Sequence, residues 1–521
     1  SGLLALVGVA MLVGGAWWVG RQGAAADERE GGVADTAAVA GGAVAPAEAS
    51  IAVLPFVNMS SDPGQEHFSD GISEELLNLL ARVRELRVAA RTSSFAFEGK
   101  DLPVPVIADS LGVAHVLEGS VRKAGEEVRI TAQLIRAEDG YHVWSESWDR
   151  RLDDVFAVQD EIATAVVERL RGTLLEEEVP TVEETEPEAY ALVLRARHLS
   201  DRGGVENLAR AEELYRAALG IDSAYATGWS GLAINYSRQA RAAGSSNDVD
   251  RTFARSREAA ERALELDPDH VRGHGALGFL AIIEGDLAAA ARHYESALAS
   301  APGDARTLGR AGVMLMSLGR LEEAVRVQEY HVARDPVNAV GHSNLGIAYL
   351  AAGRPEAAVS SRRTAAELSP DMVGMHANLG KALLYVGKPE AALAETREER
   401  QPALRLTGEA MAYHALGREE ESDAALAELI EAHERESAIQ VAKLLAYRGE
   451  SDRAFEWLDR AVEYEDPGLS EIFVSPEFDV LEDDPRWSDF LDRIGRAPED
   501  LDAIEFEVDL PGTATRATEK S

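Results

Sequence analysis

Along the chain the apolar positions change their period more than once. Residues 3–19 read LLALVGVAMLVGGAWWV, a run without a charged side chain. A run of about 17 apolar residues is the shortest that crosses a bilayer as a helix. Trp17 and Trp18 stand at one end, where interfacial aromatic side chains collect. The pattern predicts a transmembrane helix over 1–20. A cleaved signal peptide is the rival reading, since Ala24, Ala25 and Ala26 supply small residues for a cleavage site. Residues 21–50 then lose all period: sixteen of the thirty are Ala or Gly, with five acids among them. Such a segment buries too little surface to offset its ordering entropy and reads as a flexible linker.

From Ile51 strand and helix periods alternate. IAVLPFVN (51–58) predicts a strand with Pro55 at an edge or bulge. Ile72, Leu76, Leu79, Leu80 and Val83 recur at helical spacing. Ser69 or Asp70 is placed to cap that helix, with Glu74 and Glu75 in its first turn. Residues 86–91 predict a second strand and 104–111 a short helix ended by Gly112. Three strands follow, over 113–121, 128–135 and 141–148, joined by hairpin turns at 123–126 and 138–140. In the middle one Val128, Ile130, Ala132 and Leu134 share a face, and Arg129, Thr131 and Gln133 the other. A helix through Val155, Phe156, Ile162, Val166 and Leu170 closes an α/β domain with a mixed sheet, 51–178.

Beyond Pro187 the pattern holds only helix pairs, and these repeat. Gly278, Gly312, Gly346 and Gly380 lie 34 residues apart, as do Gly285, Gly319, Gly353 and Gly387. Ala290, Ala324, Ala358 and Ala392 keep the same interval, and Pro302, Pro336 and Pro370 close successive units. Each position has a physical role. The first glycine lets two helices approach, the second turns the chain, the alanine is the close contact, and the proline stops the second helix. The series resembles the tetratricopeptide repeat, most strongly over 271–400. That resemblance implies an all-α solenoid of about eight repeats over 187–467. Weaker copies lie at 187–222, 225–268 (with an insertion around 242–250), 403–434 and 435–467. Such an array is expected to behave as a nearest-neighbour solenoid. Residues 468–496 read as a helical cap and 497–521 as an acidic, disordered tail.

The front segments IAVLPFVNMSSDPGQEHFSDGISEELLNLLARV, RVAARTSSFAFEGK, GVAHVLEGSVRKAGEEVRITAQLIRAEDGYHVWSESWDR and FAVQDEIA resemble the TolB amino-terminal-like (FlgO-like) domain. With the repeats, the resemblance covers 51–495. It implies a bacterial signalling protein, in whose relatives the membrane helix follows a cytoplasmic Ser/Thr kinase, nucleotide cyclase or winged-helix domain. It carries no catalytic residues into this part. The first residue is Ser1, so either a Met has been trimmed or a longer protein precedes it.

Charge and composition narrow the function classes. The chain has 521 residues, 91 acidic against 52 basic, and a formal charge of −39. A surface that negative repels phosphate backbones, so no nucleic acid is expected to bind this part unaided. Cysteine is absent, which removes thiolate chemistry and Cys-based metal sites. No phosphate-binding loop, kinase catalytic loop or nucleophile elbow occurs. Gly273 to Gly278 spells Gly-x-Gly-x-x-Gly but lies inside a repeat helix with no strand before it. Asn58-Met59-Ser60 is a sequon without consequence in a bacterial chain. No cofactor or metal is called for.

Three features remain as candidates. His274, His342 and His376 share one repeat position, and neighbouring repeats lie about 10 Å apart, too far to share a metal at about 2 Å per bond; they read as packing positions. Arg91-Thr92-Ser93-Ser94-Phe95 follows a strand and either caps a turn or binds an anion. In the tetratricopeptide pattern two positions on each first helix face the groove: Phe279 and Ile282, Val313 and Met316, Ile347 and Leu350, Lys381 and Leu384. Seven of these eight are apolar. They form a candidate groove for a helical or extended protein segment, from a partner or from the chain's own linker or front domain. The alternative is packing between adjacent helices. The expected protein is a non-catalytic, membrane-anchored interaction scaffold, or the C-terminal regulatory portion of a kinase, cyclase or winged-helix regulator. Arg21 and Arg29 are outnumbered by Asp27, Glu28 and Glu30 behind the anchor, which places 21–521 outside the cytoplasm, in the bacterial periplasm.

Overall fold

The computed structural model describes residues 49–62, 65–170, 181–243 and 249–511. The transmembrane helix expected over 1–20 and nearly all of the expected linker lie outside these. Among the described residues no helix is long and apolar enough to cross a membrane.

The front domain is a mixed sheet with two long helices on one face and a short helix on the other. Its strands are β1 (Ser50–Val53), β2 (Val57–Asn58), β3 (Arg87–Val88), β4 (His115–Ala124), β5 (Glu127–Arg136) and β6 (His142–Arg151). The order is β3-β1-β4-β5-β6, parallel across β3, β1 and β4 and antiparallel from β4 to β6, with β2 on β4. Pro55 interrupts the first expected strand: the chain leaves the ladder after Val53 and rejoins β4 opposite Ser120. Gly119 makes room for that crossing, because a Cβ there would lie 2.6 Å from the Phe56 ring and 2.4 Å from the Thr131 carbonyl. The alternation in β5 buries Val128, Ile130, Ala132 and Leu134 in one core with α1 (Glu66–Ala81) and α4 (Val155–Leu170). Two shorter helices, α2 (Arg91–Phe95) and α3 (Val104–Leu111), lie between. Helix α1 starts earlier than expected, so neither Ser69 nor Asp70 caps it. Ser69 instead donates to the Glu66 carbonyl at 3.0 Å, and Ser73 to the Ser69 carbonyl at 2.9 Å. These back-bonds let hydroxyls sit inside a helix.

Sixteen helices, α5 (Pro187–Arg202) to α20 (Ser451–Glu463), follow as eight consecutive pairs. The glycine series explains their spacing. A Cβ on Gly278, Gly312, Gly346 or Gly380 would meet the residue sixteen positions on: Tyr294 at 2.6 Å, Gln328 at 2.4 Å, Arg362 at 2.6 Å, Thr396 at 2.3 Å. The turn series takes φ of 71° to 79° from Gly285 to Gly387. At Gly319, the N–H of Arg320 reaches the Leu315 carbonyl and that of Gly319 the Met316 carbonyl, the paired bonds of a Schellman ending. The second helices bring both small and large side chains to this contact, with Ala290, Ala324, Ala358 and Ala392 fully buried.

We expect Gly346→Leu to lower the stability of the chain by at least about 1–3 kcal/mol through overpacking. The added side chain must displace the buried Arg362 stem. A urea midpoint equal to that of the wild type would remove this account of the repeat.

Candidate functional site

The expected groove exists as a surface of the first helices but is not open. Met316 is 0% exposed, and Phe279, Ile282, Val313, Leu350 and Leu384 are all buried. Ile347 and Lys381 are half-buried. The occupant is the chain's own C-terminal part. After α20 two 3-10 stretches, Pro467–Val474 and Pro476–Leu481, run back along the first helices. The first lies against α11 (Ala305–Ser317) and α13 (Ala339–Ala351), and the second against α19 (Ala438–Tyr447). Helix α21 (Pro485–Arg493) then stacks on the last pair, where Arg486 lies 4.2 Å from the Phe455 ring centre.

Residues 497–511, expected as the start of a disordered tail, are packed. Ile282, Val313 and Met316 share one apolar core with Val474, Leu501 and Phe506, and Ile347 packs against it. Arg320 donates to the Phe506 carbonyl at 2.6 Å, and Glu295 accepts the Glu507 N–H at 2.8 Å. Phe506 is 1% exposed. Leu384 joins a second core with Ile472, Phe478 and Leu481. Phe279 belongs to the core of the earlier pairs, and Leu350 packs on Ala358 and Ala382.

Charge fixes this segment in register. The Glu477 side chain is 0% exposed and pairs with Lys381 at 3.3 Å. Glu471 pairs with Lys443, whose side chain is also buried. Burial would raise the Glu471 carboxyl, but Lys443, Lys381 and Arg362 hold it below its ordinary value. Burial would lower Lys443, but Glu471 and Glu477 carry it above the usual lysine value. Arg362, buried and in the field of both acids, is pushed down to about 10 by burial. None of the acids was visible as a partner in the sequence. The available signal was that two of only six lysines interrupt apolar first-helix positions.

The front domain docks on α5 and on the turns that precede α11 and α13. Tyr190 of α5 packs edge-on against Phe68 and Phe156 and accepts from Gln159 at 2.8 Å. Arg197 of α5 pairs with Glu75 at 2.7 Å and Glu74 at 3.3 Å. Glu74 also receives Arg91 at 3.0 Å and Arg272 at 3.6 Å, and these three arginines overcome burial and hold its carboxyl low. Residues 91–95 belong to this docking. Ser93 donates to Asp335 at 2.7 Å and accepts the Val337 N–H at 3.1 Å, while Arg91 lies over Phe95. The three histidines join consecutive helices: His274 and His342 each reach the carbonyl of the proline six residues back at 2.8 Å, and His376 faces Glu395 at 3.0 Å.

Residues 238–305 and 281–343 match family models described as tetratricopeptide repeat. A Rhizobium meliloti (strain 1021) protein named "Putative adenylate cyclase 3" is 38% identical over 239 residues, covering 44% of this chain and 40% of that protein. The chain thus matches well under half the length of that curated relative. Among solved structures, Pseudomonas aeruginosa pilF is 19% identical, covering 44% of this chain and 99% of its own, with a TM-score of 0.35. Human IFIT1 with m7Gppp-AAAA is 16% identical, covering 59% and 77%, with a TM-score of 0.36. With the helix-pair geometry above, the family models show that the chain carries tetratricopeptide repeats over residues 238–343.

Glu471→Gln should cost about 3–5 kcal/mol, because Lys443 is left buried without its partner. Lys443→Met combined with Glu471→Leu should recover most of that loss in urea denaturation. The folded-state carboxyl of Glu471 lies below its ordinary value of 4.5. Its contribution is therefore present above that value and lost as pH falls through the lower folded one. A flat stability profile for the wild type between pH 6 and about 3 would contradict the pairing.

Proposed function

We propose that this chain is a non-catalytic interaction scaffold whose peptide groove is held shut by its own C-terminal segment. The observation that carries this reading is the seating of residues 467–511 on the first helices, through buried apolar contacts and two buried ion pairs. Tetratricopeptide grooves take protein segments, and here the site is satisfied in cis. A partner with a similar apolar and acidic segment would gain access by displacing it.

A second reading joins the first. The similarity to a protein named as an adenylate cyclase favours a regulatory portion of a bacterial signalling enzyme, with catalysis outside residues 1–521. The front domain's resemblance to the TolB amino-terminal-like family and the apolar run at 3–19 support a membrane-tethered sensory unit. In this reading residues 21–521 lie outside the cytoplasm.

Two measurements test these readings. In the Val474→Ser/Phe506→Ser variant the cis segment is weakened while the groove is intact. It should bind a labelled synthetic peptide of residues 467–511, and the wild type should not. Equal binding, or none to either, with helical circular dichroism preserved, would refute the closed-groove reading. For topology, a reporter fused after Ser521 that is active only in the cytoplasm should be silent. Strong activity would reverse the orientation.

A further inference from the structure

Residues 504–510 read IEFEVDL, with an apolar residue at every second place and acids between them. They form neither helix nor strand. Their burial alternates as in an extended chain, whose successive side chains point to opposite sides. Phe506 is buried in the core around Val313 and Met316, and Ile504, Val508 and Leu510 pack against that core. Glu505, Glu507 and Asp509 are exposed. This period of two belongs to no sheet; the surface under the segment imposes it.

Side chains of the repeats hold its main chain. Arg320, at the start of α12 (Leu321–Val332), is fixed by both oxygens of Glu323 at 2.7 and 2.6 Å. Its Nη1 donates to the Phe506 carbonyl at 2.6 Å. Glu295 of α10 (Leu287–Ser300) accepts the Glu507 N–H at 2.8 Å, and Tyr330 of α12 donates to the Pro511 carbonyl at 3.2 Å. These bonds fix the path of a main chain and are indifferent to its side chains. Selection is left to the apolar row and to one acid. Asp509 pairs with Arg84 of the front domain, which lies between α1 and β3. The front domain is tied to the same place, because Ala90 donates its N–H to the Arg334 carbonyl at 2.7 Å and Arg87 donates to the Ala333 carbonyl. Arg334 in turn donates to the Tyr330 hydroxyl and lies 3.5 Å from that ring's centre. A hydroxyl that accepts from a guanidinium is itself a stronger donor. The turn that receives the front domain thus also supports the hold on Pro511.

We propose that the seat of residues 504–511 is a composite peptide site, completed by Arg84 of the front domain. It takes an extended protein segment with apolar residues at alternate positions and an acid between the last two. This rests on the closed-groove reading, since the cis segment is the template for a partner's. It adds the pattern that the partner must carry and the front domain's part in choosing it. A front domain displaced from residues 333–335 would carry Arg84 away from the site, so its docking tunes which segment is held.

Fluorescence anisotropy with labelled peptides of residues 467–511 tests it on the full chain carrying Val474→Ser/Phe506→Ser, in which the cis segment is weakened. The peptide of native sequence is expected to bind. A peptide with Val508→Asp and Asp509→Val keeps the composition but turns an acid into the apolar row, and it should bind 10-fold or more weakly. Arg84→Ala in the chain should weaken the native peptide about 2- to 5-fold, the size of a part-exposed ion pair. The same change should leave the affinity for an Asp509→Asn peptide where it was. Equal affinity for the native and exchanged peptides overturns the proposal and leaves the closed groove standing. So does an equal loss for the native and Asp509→Asn peptides on Arg84→Ala, which would make Arg84 a structural residue only. Failure of the native peptide to bind overturns both.

Discussion

A carboxylate brought to a buried cation organises each end of this molecule. Lys381 and Lys443 sit on an otherwise apolar inner wall, with the buried Arg362 reaching toward it from a second helix, where an unpaired charge is strongly unfavourable. Glu471 and Glu477, more than twenty residues further along the chain, are what permit those cations there. At the front, Glu74 gathers Arg91, Arg197 and Arg272 in the same way. Replacement of such pairs by well-packed apolar residues is often neutral or stabilising. Their contribution is therefore to register: an apolar segment alone could slide along an apolar groove, and a fixed pair of acids cannot.

The repeat physics and the closure are linked through Arg362. Gly346 gives its stem room, and the head then lies in the field of Glu471 and Glu477. The small residue that sets helix spacing thus also aims a cation at the C-terminal segment. A residue that defines the repeat in sequence serves the long-range contact in space.

What the sequence made legible was local. The 34-residue period follows from close approach and turning at fixed glycines, both backbone requirements that leave a mark wherever they recur. The β5 alternation is legible for the same reason. The seating of 467–511 left no such mark, because 3-10 backbone over 467–481 has no apolar period of its own. Its partners lie far away in the chain, as with Phe506 and Arg320. Residues 91–95 show the same limit. Their hydroxyls and guanidinium were consistent with a turn cap or an anion site, and Ser93 instead bonds Asp335, 242 positions on. The eight groove positions were located by period alone; whether they faced water depended on a segment that period could not place.

These closures also change how the repeats should be regarded as a folding unit. An isolated array is quasi-one-dimensional, each pair coupled only to its neighbours, and can fray from either end. Here the front domain spans from α5 to the turn before Asn338, through Arg197 and through Ser93 and Asp335. The C-terminal segment touches α11, α13 and α19 together. Contacts that skip repeats add couplings a nearest-neighbour chain lacks, and loosening one end then costs contacts at distant pairs. The described helices are better treated as one cooperative body than as eight separable units. In such a body a ligand or partner acting at one seam has a physical route to the other.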